Sequence, residues 1–128
     1  MSILKTRLYK PPLNDKLVVR EKLIARLNDE LDRPLKLIIA GAGYGKSVLM
    51  SQWLDASRQN YCWISLEEDC NDLNTFLSYL IAGIQQIFPK SMLHLSQISS
   101  SSQMSSDEAI VHTLNNELLD LPGSLMIV

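Results

Sequence analysis

Cysteine is scarce in this sequence. Cys62 and Cys70 are the only two, eight positions apart, with no CxxC pair and no histidine close by. His94 and His112 stand apart from each other and from both cysteines. A disulfide framework and a zinc-type cluster are thereby disfavoured, which leaves two reduced thiols, as in a cytosolic protein. Long apolar runs are missing too: none approaches the roughly 18 to 20 residues that span a bilayer. The N-terminus, MSILKTRLYKPP, has neither the apolar stretch nor the small-residue cleavage site of a secretory signal. Together these absences predict a cytoplasmic protein with no membrane partner. The third shortage is of positive charge. From residue 59 to 128 the only basic residue is Lys90, against eight acids. Residues 1–58 hold eleven of the twelve Lys and Arg against six acids, so the two parts carry +5 and −7. A basic N-terminal part suits a polyanion such as ATP. The basic residues are scattered, and no recognition motif or basic–aromatic stripe accompanies them, which argues against nucleic-acid binding by this chain itself.

The 128 residues leave room for one domain at most. Residues 1–16 read as an irregular basic arm, since Pro11-Pro12 favours an extended path. Leu17 to Asp32 has helical spacing, with Leu23, Ile24, Leu27 and Leu31 on one face, and Pro34 stops it. Leu35 to Ala40 is a short apolar run that predicts a strand buried on both faces. A helix is expected from Lys46 or Ser47, fading near Arg58-Gln59-Asn60. Tyr61 to Leu66 (YCWISL) predicts a second strand, followed by the acidic turn Glu67-Glu68-Asp69. Leu73 to Phe88 repeats Phe76, Leu77, Leu80, Ile81, Ile84 and Phe88 at threes and fours, and Pro89 ends that helix. SQISSSSQMSS, residues 96–106, reads as a flexible loop. Asp107 opens another helix as cap or first-turn acid, with Ile110, Val111, Leu114 and Leu118 on one face. Ser124 to Val128 predicts a third buried strand after the turn Pro122-Gly123. Strands alternating with helices predict an α/β fold with a parallel sheet covered on both faces. Trp53 and Trp63 are expected in the core.

The string AGAGYGKS, Ala40 to Ser47, sits between the predicted strand and the predicted helix. It matches a phosphate-binding loop in Gly45-Lys46-Ser47, with Ala40 where the pattern has its leading glycine. Gly43 and Gly45 allow successive N–H groups to point at phosphate oxygens. The helix that follows aims its N-terminus, with its free donors and partial positive charge, at the same place. Lys46 would reach the β- and γ-phosphates and Ser47 would ligate Mg²⁺. A dinucleotide fingerprint fails, because GxGxxG from Gly41 needs glycine where Lys46 stands.

The segments RLYKPPLNDKLVVREKLIARLN, LKLIIAGAGYGKSVLMSQWL and YCWISLEEDCNDLNTFLSYLIAGIQQIFP, in that order, resemble the N-terminal ATP-binding region of MalT-type regulators. These are the large ATP-dependent activators of the LuxR family, within the STAND class of P-loop NTPases. The likeness covers roughly residues 7–90 and resumes at 120–128. It implies a P-loop NTPase three-layer parallel sheet with flanking helices, incomplete here with three predicted strands. Residues 1–16 would be an N-terminal arm and 17–128 a partial nucleotide domain. The implied cofactors are ATP or ADP with Mg²⁺. Gly41, Ala42, Gly43, Tyr44, Gly45, Lys46, Ser47 and Val48 would form the nucleotide loop, Ser47 the metal ligand, and Val19 and Arg20 would lie near the adenine.

In that family ATP binding is a switch more than a turnover engine. The full protein oligomerises and binds DNA only through a C-terminal helix-turn-helix that this sequence does not contain. The chain stops at Val128, just before the aspartates expected after the third strand, so no catalytic residue is assigned and efficient hydrolysis is not expected. The edge of the loop strand would also be left open. Glu67 stands where the family usually has aspartate, and Cys70 where many members have another, which puts a metal-side role for that turn in doubt. Two other readings stay open: a small P-loop ATPase or kinase, and an interaction module docking on a longer homologue.

Overall fold

The computed structural model describes residues 3–14, 16–32, 35, 37–100 and 106–128. Five α-helices occur among them: α1 Glu21–Asp29, α2 Lys46–Ser57, α3 Leu73–Ile87, α4 Leu93–Ser100 and α5 Asp107–Leu119. Two short strands, β1 Tyr61–Cys62 and β2 Met126–Ile127, pair in parallel with Tyr61 opposite Met126. Short 3₁₀ turns occupy Lys5–Leu8 and Glu68–Asn71. No helix among the described residues is long and apolar enough to cross a membrane. The chain divides into two compact units, one of Met1–Tyr9 with Gln59–Val128 and one of Lys10–Arg58.

This overturns the expected three-layer P-loop sheet. The described part of Leu35 to Ala40 forms no strand. Leu35, Leu37 and Ile39 are 79%, 76% and 83% exposed, where a doubly covered strand would bury them. A strand exists only through hydrogen bonds to a neighbour. Among its described residues the Lys10–Arg58 unit contains no strand to supply them, and both strands that do form lie in the other unit. The fold is mainly helical, with a two-stranded parallel sheet.

The larger unit is built on α3. Asp72 caps it, its carboxylate accepting from Thr75 N at 2.9 Å. Leu77, Leu80, Ile81 and Ile84 form the buried stripe that the spacing predicts, joined by Cys62, Met92, Leu95 and Ile110. A Cβ built on Gly83 would run into Cys62 Sγ, so the lack of a side chain there is what lets α3 lie against β1. Burial pushes the Cys62 thiol up to about 11. Beyond its two ladder residues β1 stays extended. Ile64 N donates to Val128 O and Ser65 N donates to Arg7 O, each at 2.8 Å.

One element departs from the expected pattern. The serine-rich segment is helical as far as Ser100, because Leu95 is fully buried and Ile98 packs beside it. Residues 101–105 of the expected loop lie outside the described residues. Glu117 on α5 holds the start of α4: its carboxylate accepts from His94 N at 2.7 Å and Leu95 N at 3.0 Å. A carboxylate there satisfies two free donors at the positive end of the helix. Ser106 caps α5, accepting from Ala109 N at 3.2 Å, and Asp107 stands as a first-turn acid, one of the two places expected for it.

The N-terminal arm is also ordered. Arg7 is 4% exposed and Leu8 is 5% exposed. Arg7 pairs with Asp69 through two parallel bonds of 2.9 and 3.0 Å and donates from Nε to Ser65 O at 3.1 Å. It also donates to the Tyr79 hydroxyl at 3.1 Å and lies 4.0 Å from that ring's centroid. The Asp69 carboxyl is held below its ordinary value of 3.8, first by the hydrogen bond from Arg7. A carboxyl depressed in the fold contributes stability that is present above the ordinary aspartate range and is lost as pH falls through it.

Two outcomes follow from these contacts. In urea unfolding across pH 7 to about 2, Asp69→Asn should begin less stable than wild type and lose less on acidification. Identical acid limbs would remove the pair from the account. Glu117→Ala should cost about 1–2 kcal/mol and speed amide exchange at His94 and Leu95, read by NMR.

Candidate functional site

The phosphate-loop string lies in the Lys10–Arg58 unit, and its geometry follows from two residues with left-handed backbone. Gly43 has φ +83° and Gly45 has φ +80°, conformations that cost a side-chain-bearing residue about 1–2 kcal/mol. Between them the chain turns, with Tyr44 N donating to Gly41 O at 3.4 Å. Gly45 is the N-cap of α2, and its carbonyl accepts the first helical bond, from Leu49 N at 2.9 Å. The N–H groups of Lys46, Ser47 and Val48 precede that bond, so they belong to the free donors of the helix start. The predicted helix is therefore present, beginning at Lys46, and the predicted strand before the loop is not.

Lys46 closes the loop. Its Nζ donates to the carbonyl oxygens of Ala40 and, at 3.1 Å, of Gly41. The ammonium thus bridges the first residues of the loop to the first residue of the helix. Gly41, Ala42, Gly43 and Tyr44 are exposed, Tyr44 at 66%. Ser47 is exposed in the first turn, and Val48 is half-buried.

Arg20 arrives from a separate segment. It is the N-cap of α1, where its carbonyl accepts from Leu23 N and Ile24 N at 3.1 and 3.0 Å. The helix starts here and not at Leu17, because Asn14 makes a turn first, accepting from Lys16 N through its side chain at 3.0 Å. The expected stop at Pro34 lies outside the described residues. Two bonds fasten this segment to α2. Gln52 Nε2 donates to Val18 O at 3.2 Å, and Trp53 Nε1 donates to Asn28 Oδ1 at 2.8 Å. Lys10 adds a third tie, with Nζ at 2.9 Å from both Ser51 Oγ and Asp55 Oδ1. The result brings the Arg20 guanidinium against Gly45: a Cβ built on that glycine would lie 3.1 Å from Nη2 and 3.5 Å from Cζ.

Of the residues predicted for the site, the structure therefore gathers the whole of Gly41 to Val48 and adds Arg20 to it. Val19 is 54% exposed and enters no described hydrogen bond. Gln52 is a residue that the motif did not point to: it is 9% exposed, and its Oε1 has no partner among the described residues. Its helical position one turn and a half beyond Lys46 is the only signal that could have found it.

The acidic turn has a different occupation from the one raised for it. Asp69 is taken by Arg7, Glu67 stands 3.8 Å from the same guanidinium, and Cys70 Sγ accepts from Arg7 Nη2 at 3.0 Å. No group of three or more His, Cys, Asp or Glu suited to a metal occurs among the described residues. A surface concavity of ~350 Å³, lined by Ile87, Phe88, Pro89, Lys90, Ser91, Asp120 and Pro122, lies in the other unit. Its walls are mostly apolar and no set of donors converges there, so the loop is the better candidate for a ligand site.

No family model matches the sequence, and no solved structure matches the chain.

The loop geometry makes one prediction of its own. Gly45→Ala meets both the left-handed backbone and the Arg20 guanidinium, and should destabilise the protein by about 1–2 kcal/mol. Ala42→Gly, three positions earlier in the same loop, should change stability by less than half as much in the same urea titration.

Proposed function

We propose that Ala40–Ser47 is a phosphate-binding loop and that the chain is an ATP-binding switch module of a signal-responsive regulator resembling the MalT type. The observation that carries this reading is the closed loop itself. Gly43 and Gly45 adopt left-handed backbone, Lys46 bridges the loop through Ala40 and Gly41, and α2 opens directly beneath with unpaired donors. A polyphosphate supplies what such a loop lacks: anionic oxygens for the free N–H groups and for an ammonium otherwise held only by backbone carbonyls. Lys46 and the N–H groups of Gly43 to Val48 would bind it. The ligand class is ATP or ADP.

Mg²⁺ fits only in company with the nucleotide. Ser47 offers one exposed hydroxyl in the first turn of α2, which suits an ion that keeps most of its waters and takes its other ligands from phosphate oxygens. When bound, the ion would neutralise phosphate charge, while the orientation of the chain beneath it falls to the loop.

The reading concerns binding, and no catalytic residue is assigned. DNA contact and oligomerisation, as implied by the resemblance, would be properties of a longer regulator.

Titration of the chain with Mg-ATP and Mg-ADP, read by calorimetry and by the shift in thermal midpoint, tests the proposal. A ligand present at 100 times its Kd adds about 2.7 kcal/mol to the folded state. Wild type should bind and gain thermal stability, and Lys46→Ala should lose both responses. Binding that survives unchanged in Lys46→Ala, or no heat and no shift in wild type, overturns it.

A further inference from the structure

The resemblance puts Arg20 beside the adenine; its position in the structure suggests another role. We infer that Arg20 is a second phosphate-binding cation, so that the site selects a nucleoside di- or triphosphate over a monophosphate. This rests on the phosphate-loop reading above.

The observations are independent of the loop's sequence pattern. Arg20 lies 25 residues before Gly45, on a different element, and is held there by Gln52 and Trp53 of α2 through Val18 and Asn28. Its guanidinium crowds Gly45 closely enough that a Cβ would stand 3.1 Å from Nη2. It is exposed, and neither it nor Lys46 enters an ion pair among the described residues, where the only three pairs belong to Arg7 and Lys10. Arg20 and Lys46, neither in an ion pair among the described residues, therefore both border the short loop that opens α2. An anion seated at the loop is attracted by both charges and by the start of the helix.

The two cations divide the work by their shapes. Lys46 is a point charge that bonds to Ala40 and Gly41 at the opening of the loop. Arg20 stands at Gly45, where the loop becomes helix, and offers a planar fork that matches two phosphate oxygens at once. A single phosphate can be held by Lys46 and the backbone. A second or third phosphate extends the anion and gives the fork its own pair of oxygens.

The test is calorimetric titration of the full chain with Mg-ATP, Mg-ADP, AMP and inorganic triphosphate, using wild type, Arg20→Ala, Arg20→Lys and Lys46→Ala. Arg20→Ala should weaken ATP and triphosphate about tenfold or more, in line with loss of a charge-assisted bond, and leave AMP within about twofold. Arg20→Lys keeps the charge and loses the fork, so it should fall between Arg20→Ala and wild type. The guanidinium makes no described hydrogen bond, so both variants should melt with wild type when no ligand is present. If Arg20→Ala binds ATP as wild type does while Lys46→Ala does not, this inference fails and the loop reading stands. An equal loss for ATP and AMP also overturns it, since that places Arg20 at the nucleoside or in the folding of the site. Failure of wild type to bind any of the four ligands sinks both proposals.

Discussion

The larger unit depends on one guanidinium. Arg7 lies in a nine-residue stretch that has no hydrophobic stripe of its own, yet it touches three elements at once: Ser65 where β1 runs out, Asp69 in the turn that leads to α3, and Tyr79 within α3. A charge taken this far from water is costly unless every donor is matched. Here the fork meets a carboxylate with two bonds, a main-chain carbonyl, a hydroxyl and an aromatic face. The match explains why the arm is ordered in spite of its composition, and why the acidic turn is a structural partner. Tyr79 completes the arrangement by accepting from Leu4 N at 3.3 Å, which ties down the chain ahead of Arg7 as well.

The Lys10–Arg58 unit is organised differently. It has few apolar residues fully withdrawn from solvent, and α1 has none. Its order comes from consecutive side chains of α2 that reach for distant backbone and polar groups: Ser51 to Pro11, Gln52 to Val18, Trp53 to Asn28. Such ties are directional, and they fix the position of a segment that bulk burial alone does not hold. The same helix that fixes the loop at its start therefore fixes, between one and two turns later, the segment that carries Arg20.

How much of this was legible in the sequence differs by element. Most periodic segments behaved as expected: α2, α3 and α5 lie where the spacing puts them, and four of the six apolar positions named for α3 are buried, whereas α1 is shorter than Leu17 to Asp32 and buries none of its apolar face. Runs without period did not. Leu35 to Ala40 and Tyr61 to Leu66 looked alike as strand candidates, and only the second found a partner, because pairing is decided by residues more than 60 positions away. The helix α4 was hidden by its serines, which signal loop by composition, while the apolar spacing of Met92, Leu95 and Ile98 was the quieter and correct signal. In the candidate site, the turn at Gly43 and Gly45 and the helix opening at Lys46 could be read from the string, since both are set by local backbone. The approach of Arg20 to Gly45 could not, since it depends on bonds made by Gln52 and Trp53.

The pairing of Arg7 with Tyr79 spans 72 residues of chain, all of which a ribosome must add after Arg7 has been made. At ordinary rates of synthesis that interval is on the order of 4–15 s. During it Lys10–Arg58 can emerge and form its own contacts, while the nine residues ahead of it have nothing to close upon. For those seconds this segment waits for its partners, and Leu4, Arg7 and Leu8 are on offer to any chaperone or protease at the tunnel exit.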